Sequence, residues 1–154
     1  MKTKAFQEYY TEDFSHCYGC GKENKFGHQL KTYWYGEETV SHFTPRPEHT
    51  AIPGFVYGGL IASLIDCHST SSGSAALHNN LDETERKATY PRCVTASLKV
   101  EYLKPTPIDC TLELRGKIKE IKGRKVLVTV NLKAKDVICV KGEVMVVQIP
   151  DNWG

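Results

Sequence analysis

The sequence predicts an α+β domain in which a single long helix packs across an antiparallel sheet. Three observations carry that prediction. A mid-chain stretch opening at Gly58-Gly59 and reaching His78 has apolar residues at helical spacing. Two short strand-like runs precede it and four longer ones follow, alternating in places, as at Val126, Val128, Val130 and Leu132. No internal repeat or low-complexity segment interrupts this order, so the one helix must lie across the sheet.

Taken in order, residues 1–28 form a lead-in rich in Tyr, Phe, Cys and Gly, without a clean period, expected to pack on the domain formed by residues 29–150. Leu30 to Tyr35 and Thr39 to Thr44 favour strands, with Gly36-Glu37-Glu38 as the turn of a hairpin. Pro45, Pro47 and Pro53 cannot continue a ladder, so this segment is a loop that delivers the chain to the helix. The helix ends at Asn79-Asn80. Leu60, Ile61, Leu64, Ile65 and Ala75 share one face. Gly59, Ala62, Ser63, Asp66, Ser69, Thr70 and Gly73 share another, a face of small residues that permits close approach and is expected to be covered. A polar connection, Asn79 to Arg92, leads to strands over Val94 to Leu103, Cys110 to Ile118, Lys125 to Lys135 and Val137 to Ile149. Gly123 and Lys135-Asp136 suit hairpin turns, and Pro105-Thr106-Pro107 enforces a break.

Composition narrows the function classes. A chain of 154 residues, 40% hydrophobic, can bury one core. Its net charge of +2 comes from 20 basic and 18 acidic residues spread along the chain, without the basic stripe that nucleic-acid binding needs. No apolar run approaches the roughly 18 residues of a membrane span, and Met1-Lys2-Thr3-Lys4 leads into no signal-like segment. The expectation is a cytoplasmic protein whose six cysteines are reduced. Cys67, Cys93, Cys110 and Cys139 read as small packed residues. Cys17-x-x-Cys20 has metal-ligand spacing, with His16 and His28 nearby, but no second pair accompanies it. It reads as a packed or exposed thiol pair, and no metal ligand is assigned. There is no Gly-rich phosphate loop of the Walker or dinucleotide kind, and no cofactor is expected.

The chemistry-bearing feature is Asp66, an acid inside an apolar helix that opens on two glycines. Free N–H groups at a helix start carry partial positive charge, and Asp66 lies on nearly the same side as Gly59. A lone helical Asp is more often a surface or capping acid, so this feature alone leaves its role open.

Two blocks carry a family resemblance. Glu48-His49-Thr50-Ala51-Ile52-Pro53-Gly54-Phe55-Val56-Tyr57-Gly58-Gly59, continuing to Asp66, resembles the central-helix motif of hotdog-fold acyl-CoA thioesterases, of the phenylacetate-pathway-like type with a helix aspartate. Val94 to Pro107 resembles the same family's third strand with its basic-residue-Pro ending, and Cys17-Tyr18-Gly19-Cys20-Gly21 with Asn24 and Gly27 is similar to its N-terminal segment. The resemblance implies a curved antiparallel sheet wrapped around the helix and a homodimer or dimer of dimers with sites at the interface. It puts Asp66 on the family's carboxylate, Gly58 on the glycine whose N–H contacts the thioester oxygen, and Thr95 on a strand hydroxyl expected from the partner subunit. Tyr57 replaces the family's usual His, with Gly59 beside it. His49 is a candidate polar contact, and Lys104 and Arg92 are candidates for coenzyme A phosphates. The implied activity is hydrolysis of an acyl-CoA, with Asp66 as general base or nucleophile. Two other readings stay open: a hotdog hydratase or dehydratase using His49 and Asp66, and an acyl-CoA-binding module without catalysis.

Overall fold

The computed structural model describes residues 3–153. Strands β1 (Thr32–Tyr35) and β2 (Glu38–Phe43) form the hairpin, followed by helix α1 (Gly58–Asn80). Strands β3 (Cys93–Tyr102), β4 (Leu112–Lys122), β5 (Lys125–Ala134) and β6 (Val137–Gln148) follow. All pairings are antiparallel, in the order β1-β2-β4-β5-β6-β3, so β1 and β3 are the edges of a six-stranded sheet. α1 packs against strands across this sheet, as a hotdog fold requires.

The alternation read in β5 and β6 is the alternation of burial. Val126, Val128, Val130, Leu132, Val140, Val144 and Val146 are almost fully buried and meet Leu60, Ile61, Leu64 and Ile65 of α1. Burying each such side chain is worth about 1.5–3 kcal/mol. Gly142 and Gly73 set how closely helix and sheet approach. A Cβ at Gly142 would lie 2.5 Å from Ile65 Cγ2, and one at Gly73 would lie 2.4 Å from Val146 Cγ2. β4 extends beyond the expected Ile118 because a bulge between Ile118 and Glu120 lets the ladder with β5 resume as far as Lys122.

The small-residue face of α1 has two halves. From Cys67 to Leu77 every residue is buried, for here the chain lies between the sheet and the lead-in, whose Phe6 and Tyr10 are themselves buried. From Gly58 to Asp66 that face stays open in the single chain: Gly59 is exposed, and Ala62, Ser63 and Asp66 are half-buried.

The closed half holds an internal polar cluster. His68 is fully buried, with Thr39 Oγ1 at 2.9 Å from Nε2 and Ser41 Oγ at 2.7 Å from Nδ1. Ser72 Oγ donates to Thr39 Oγ1, and Ser41, Ser71 and Gln7 all donate to Thr32 Oγ1. Burial alone pushes the imidazole down to about 3, so it is neutral at pH 7. Gly116, paired with Thr39, makes room for the ring, since a Cβ there would lie 2.7 Å from Nε2.

Candidate active site

The open half of α1 runs alongside β3, and the sequence explains why the two face each other with polar groups. β3 carries one extra residue, Ala96, between Thr95 (paired with Val146) and Ser97 (paired with Met145). That bulge resets the alternation, so Thr95, Leu98, Val100 and Tyr102 all project to the helix side. Thr95 Oγ1 donates a short hydrogen bond to Asp66 Oδ1 of the same chain. At the other end, Tyr102 Oη donates to the Gly58 carbonyl at 2.7 Å. Burial, with the Tyr57 phenol adding to it, raises the Tyr102 pKa above its ordinary value.

Thr95 thus differs from the expectation that it serves the partner's carboxylate. It holds Asp66 of its own chain, because the connection after α1 returns β3 antiparallel to the helix with Thr95 beside the start of the third helical turn. Asp66 is half-buried and, among the described residues, makes no ion pair. A carboxylate with one hydroxyl partner and an open side can accept a proton from water or attack a carbonyl.

The start of α1 supplies donors. Tyr57 is the N-cap and makes no side-chain capping bond, so the first-turn amides from Gly58 onward have no capping partner. The Tyr57 ring is exposed and folds over Gly59, where a Cβ would come within 2.5 Å of it. Gly58 opens on an apolar groove of about 430 Å³ lined by Ile52, Phe55, Val56, Ile61, Tyr102 and Lys104. Lys104 is exposed there, which suits a contact to an anionic group at the mouth.

Two other candidates fall elsewhere. Arg92 lies at the far end of α1 from Gly58, its guanidinium 4.8 Å from the Tyr10 ring centroid, beside a cavity of about 360 Å³ lined by His78, Tyr90 and Trp153. The loop from Asn80 turns back at the helix C-terminus, which carries Arg92 away from the groove. His49 accepts the Arg46 N–H on Nδ1 at 3.0 Å and stacks edge-on with His28. Burial and the nearby Arg46 hold its imidazole below the ordinary range, and no ion pair joins it to Asp66.

The separation of Gly58 and Asp66 limits what one chain can do with both. Gly58 and Asp66 are eight positions apart on one continuous helix, which separates them by about 12 Å along the axis. One carbonyl cannot contact both within a single chain. β3, an edge strand, leaves Val94, Leu98 and Tyr102 at 37%, 40% and 53% exposure, an unusual amount of apolar surface along an unpaired edge.

A curved antiparallel sheet around one central helix, with a carboxylate in that helix and an uncapped glycine start, defines a hotdog domain. The chain belongs to the thioesterase superfamily, whose family model matches residues 53–141. It is similar to the acyl-coenzyme A thioesterase THEM4 of Xenopus laevis, 32% identical over 97 residues, covering 63% of this chain and 38% of that protein. THEM4 of Mus musculus is 29% identical over 100 residues, covering 65% and 37%. The chain therefore matches less than two-fifths of the length of these curated relatives. Among solved structures, a thioesterase superfamily protein from Shewanella loihica PV-4 is 49% identical with a TM-score of 0.70, covering 90% of this chain and 97% of that one. The E. coli PaaI protein from the phenylacetic acid degradation operon shares the fold at 11% identity and a TM-score of 0.64, covering 80% and 81%. No described helix is long and apolar enough to cross a membrane.

Proposed function

We propose that this protein is an acyl-CoA thioesterase that hydrolyses its substrate to a free acid and coenzyme A in a site shared by two copies of the chain. The observation that carries this reading is the Asp66–Thr95 pair on the open side of α1. Asp66 of one copy activates water, or attacks the thioester itself, while Thr95 fixes the carboxylate in line. The Gly58 N–H of the other copy receives the oxyanion as it develops, a contribution of about 3 kcal/mol for such donors. The roughly 12 Å between Gly58 and Asp66 and the apolar edge of β3 both support a homodimer. The groove at Gly58 suits the acyl or pantetheine portion, with Lys104 toward the phosphates.

Names of the relatives support the coenzyme A thioester as substrate class. The hydratase reading has less support, since His49 Nδ1 is already engaged by the Arg46 N–H. A panel of acyl-CoAs incubated with the purified protein and a thiol reagent tests the proposal. Release of free thiol with at least one of them, lost in Asp66→Asn, supports it. Tight acyl-CoA binding without thiol release overturns it in favour of a binding module. Hydration of a crotonyl thioester, abolished in His49→Ala, overturns it in favour of a hydratase.

A further inference from the structure

About 100° around α1 from Asp66, the next residue, Cys67, belongs to a second cluster of reactive groups. The Sγ atoms of Cys17, Cys20 and Cys67 all lie within 4.8 Å of one another, and Cys17 and Cys67 are 3.8 Å apart. All six cysteines are free thiols. The sequence paired Cys17 with Cys20 and found no further ligand. The third thiol comes from the helix, across a separation of 47 residues from Cys20.

We propose that Cys17, Cys20 and Cys67 form a three-thiolate site for a thiophilic d¹⁰ metal ion of the zinc class. A tetrahedral ion with metal–sulfur bonds of about 2.3 Å spaces its sulfurs about 3.8 Å apart. The Cys17–Cys67 distance already has that value, and Cys20 needs to move by no more than about 1 Å.

The backbone around the thiols is shaped to hold them together. Cys17 to Gly21 forms a tight turn closed by the Gly21 N–H on the Cys17 carbonyl at 2.8 Å, and the amides of Gly19 and Cys20 face Cys17 Sγ. Converging amides of this kind stabilise a sulfur that carries negative charge. Gly19 is glycine for a reason of space, because a Cβ there would lie 2.2 Å from Cys67 Sγ. Gly21 is equally constrained, since a Cβ would come within 2.4 Å of the Cys17 nitrogen.

Charge points the same way. The Arg92 guanidinium has a buried Nη1 with no hydrogen-bond partner, and it interacts electrostatically with all three cysteines. Among the described residues Arg92 makes no ion pair, so this half-buried cation lacks a carboxylate. Three thiolates and one divalent ion carry a net charge of minus one, which the guanidinium balances. Binding releases a proton from each thiol that was protonated, so affinity rises with pH. Cys17 is half-buried, giving the ion a path from solvent, and water takes the fourth position, since no other described Cys, His, Asp or Glu joins the cluster.

The reduced, metal-stripped protein titrated with Co²⁺ tests this, because tetrahedral cobalt–thiolate sites show near-ultraviolet charge transfer and intense visible bands. The expected result is saturation at one ion per chain, displacement of cobalt by Zn²⁺, and at least a tenfold loss of Zn²⁺ affinity by chelator competition in Cys17→Ser and in Cys20→Ser. Cys110→Ser, a cysteine outside the cluster, retains wild-type affinity. Cys17 is the half-buried member, so Cys17→Ser remains informative even where Cys67→Ser fails to fold. Absence of the thiolate bands, or the same affinity in Cys17→Ser as in wild type, overturns the site. So does a protein that shows no such bands and is converted by peroxide to a Cys17–Cys67 disulfide, which identifies a redox pair instead. None of these readouts depends on thioesterase activity.

Discussion

Asp66 and His68 stand two positions apart on one helix and are treated in opposite ways. His68 is sealed between sheet and lead-in, with both ring nitrogens engaged by the hydroxyls of Thr39 and Ser41. Asp66 has a single hydroxyl partner, Thr95, and one open side. Both are polar groups in an apolar helix, where an unsatisfied group costs about 1–3 kcal/mol. The fold meets that cost at His68 with a complete hydrogen-bond set and leaves Asp66 incomplete. Incompleteness at a half-open position leaves a group available for chemistry, whereas completeness in the interior fixes packing.

That contrast can be broken at either residue. Asp66→Asn keeps shape and the Thr95 contact but removes the carboxylate, and acyl-CoA turnover should fall by about three orders of magnitude. Its melting temperature should match or exceed wild type, since Asp66 makes no ion pair among the described residues and an amide oxygen still accepts from Thr95. Gly58→Pro removes the N–H while the ring is tolerated at the first helical position, and Tyr57 has ψ 128°, which suits a residue before proline. Its kcat should drop about a hundredfold with the helix retained by circular dichroism.

His68→Ala should do the reverse. It takes one hydrogen-bond partner from each of Ser41 and Thr39, which keep Thr32 and Ser72, and opens a cavity, costing about 3 kcal/mol in denaturant unfolding while residual turnover per folded molecule stays near wild type. The same residue predicts a pH dependence. Its imidazole titrates near 6.5 when unfolded and at about 3 when folded, so between those values the unfolded state holds the extra proton. Stability should be insensitive to this group above pH 6.5 and fall as pH drops from about 6.5 toward about 3. The His68→Ala protein should lack that component of the slope. The smallest effect expected is Thr95→Val, which loses one hydrogen bond to the carboxylate. The account predicts a kcat about tenfold lower with KM little changed and thermal stability preserved.

The sequence legibly marked the helix, its glycine start and Asp66, because each depends on neighbours within a few positions. The strands were also readable, since β5 and β6 alternate against one helix face. The His68 cluster was not legible. Its partners Thr32, Thr39 and Ser41 sit on the hairpin some thirty positions away, where each looks like an ordinary strand residue. Gly116 opposite Thr39 was the nearest available sign, but a strand glycine has several explanations. The thiol cluster was hidden for the same reason, with Cys67 on the helix and its companions in the lead-in. Thr95 was singled out by resemblance, yet its orientation rests on the Ala96 bulge, a register feature that no local pattern announces. Arg92 lies away from the Gly58 groove of its own chain because the course of the long polar loop decides which end of the helix it reaches.

The central claim is that Gly58 of one copy and Asp66 of another serve the same thioester, and subunit complementation tests it most directly. Asp66→Asn and Gly58→Pro proteins, each nearly inactive alone, are unfolded together in equal amounts and refolded so that their chains mix. In a shared site, each mixed dimer regains one intact pair, and the mixture should recover about a quarter of the wild-type rate. A mixture no more active than its parents, with mixed dimers verified by mass, would contradict the account.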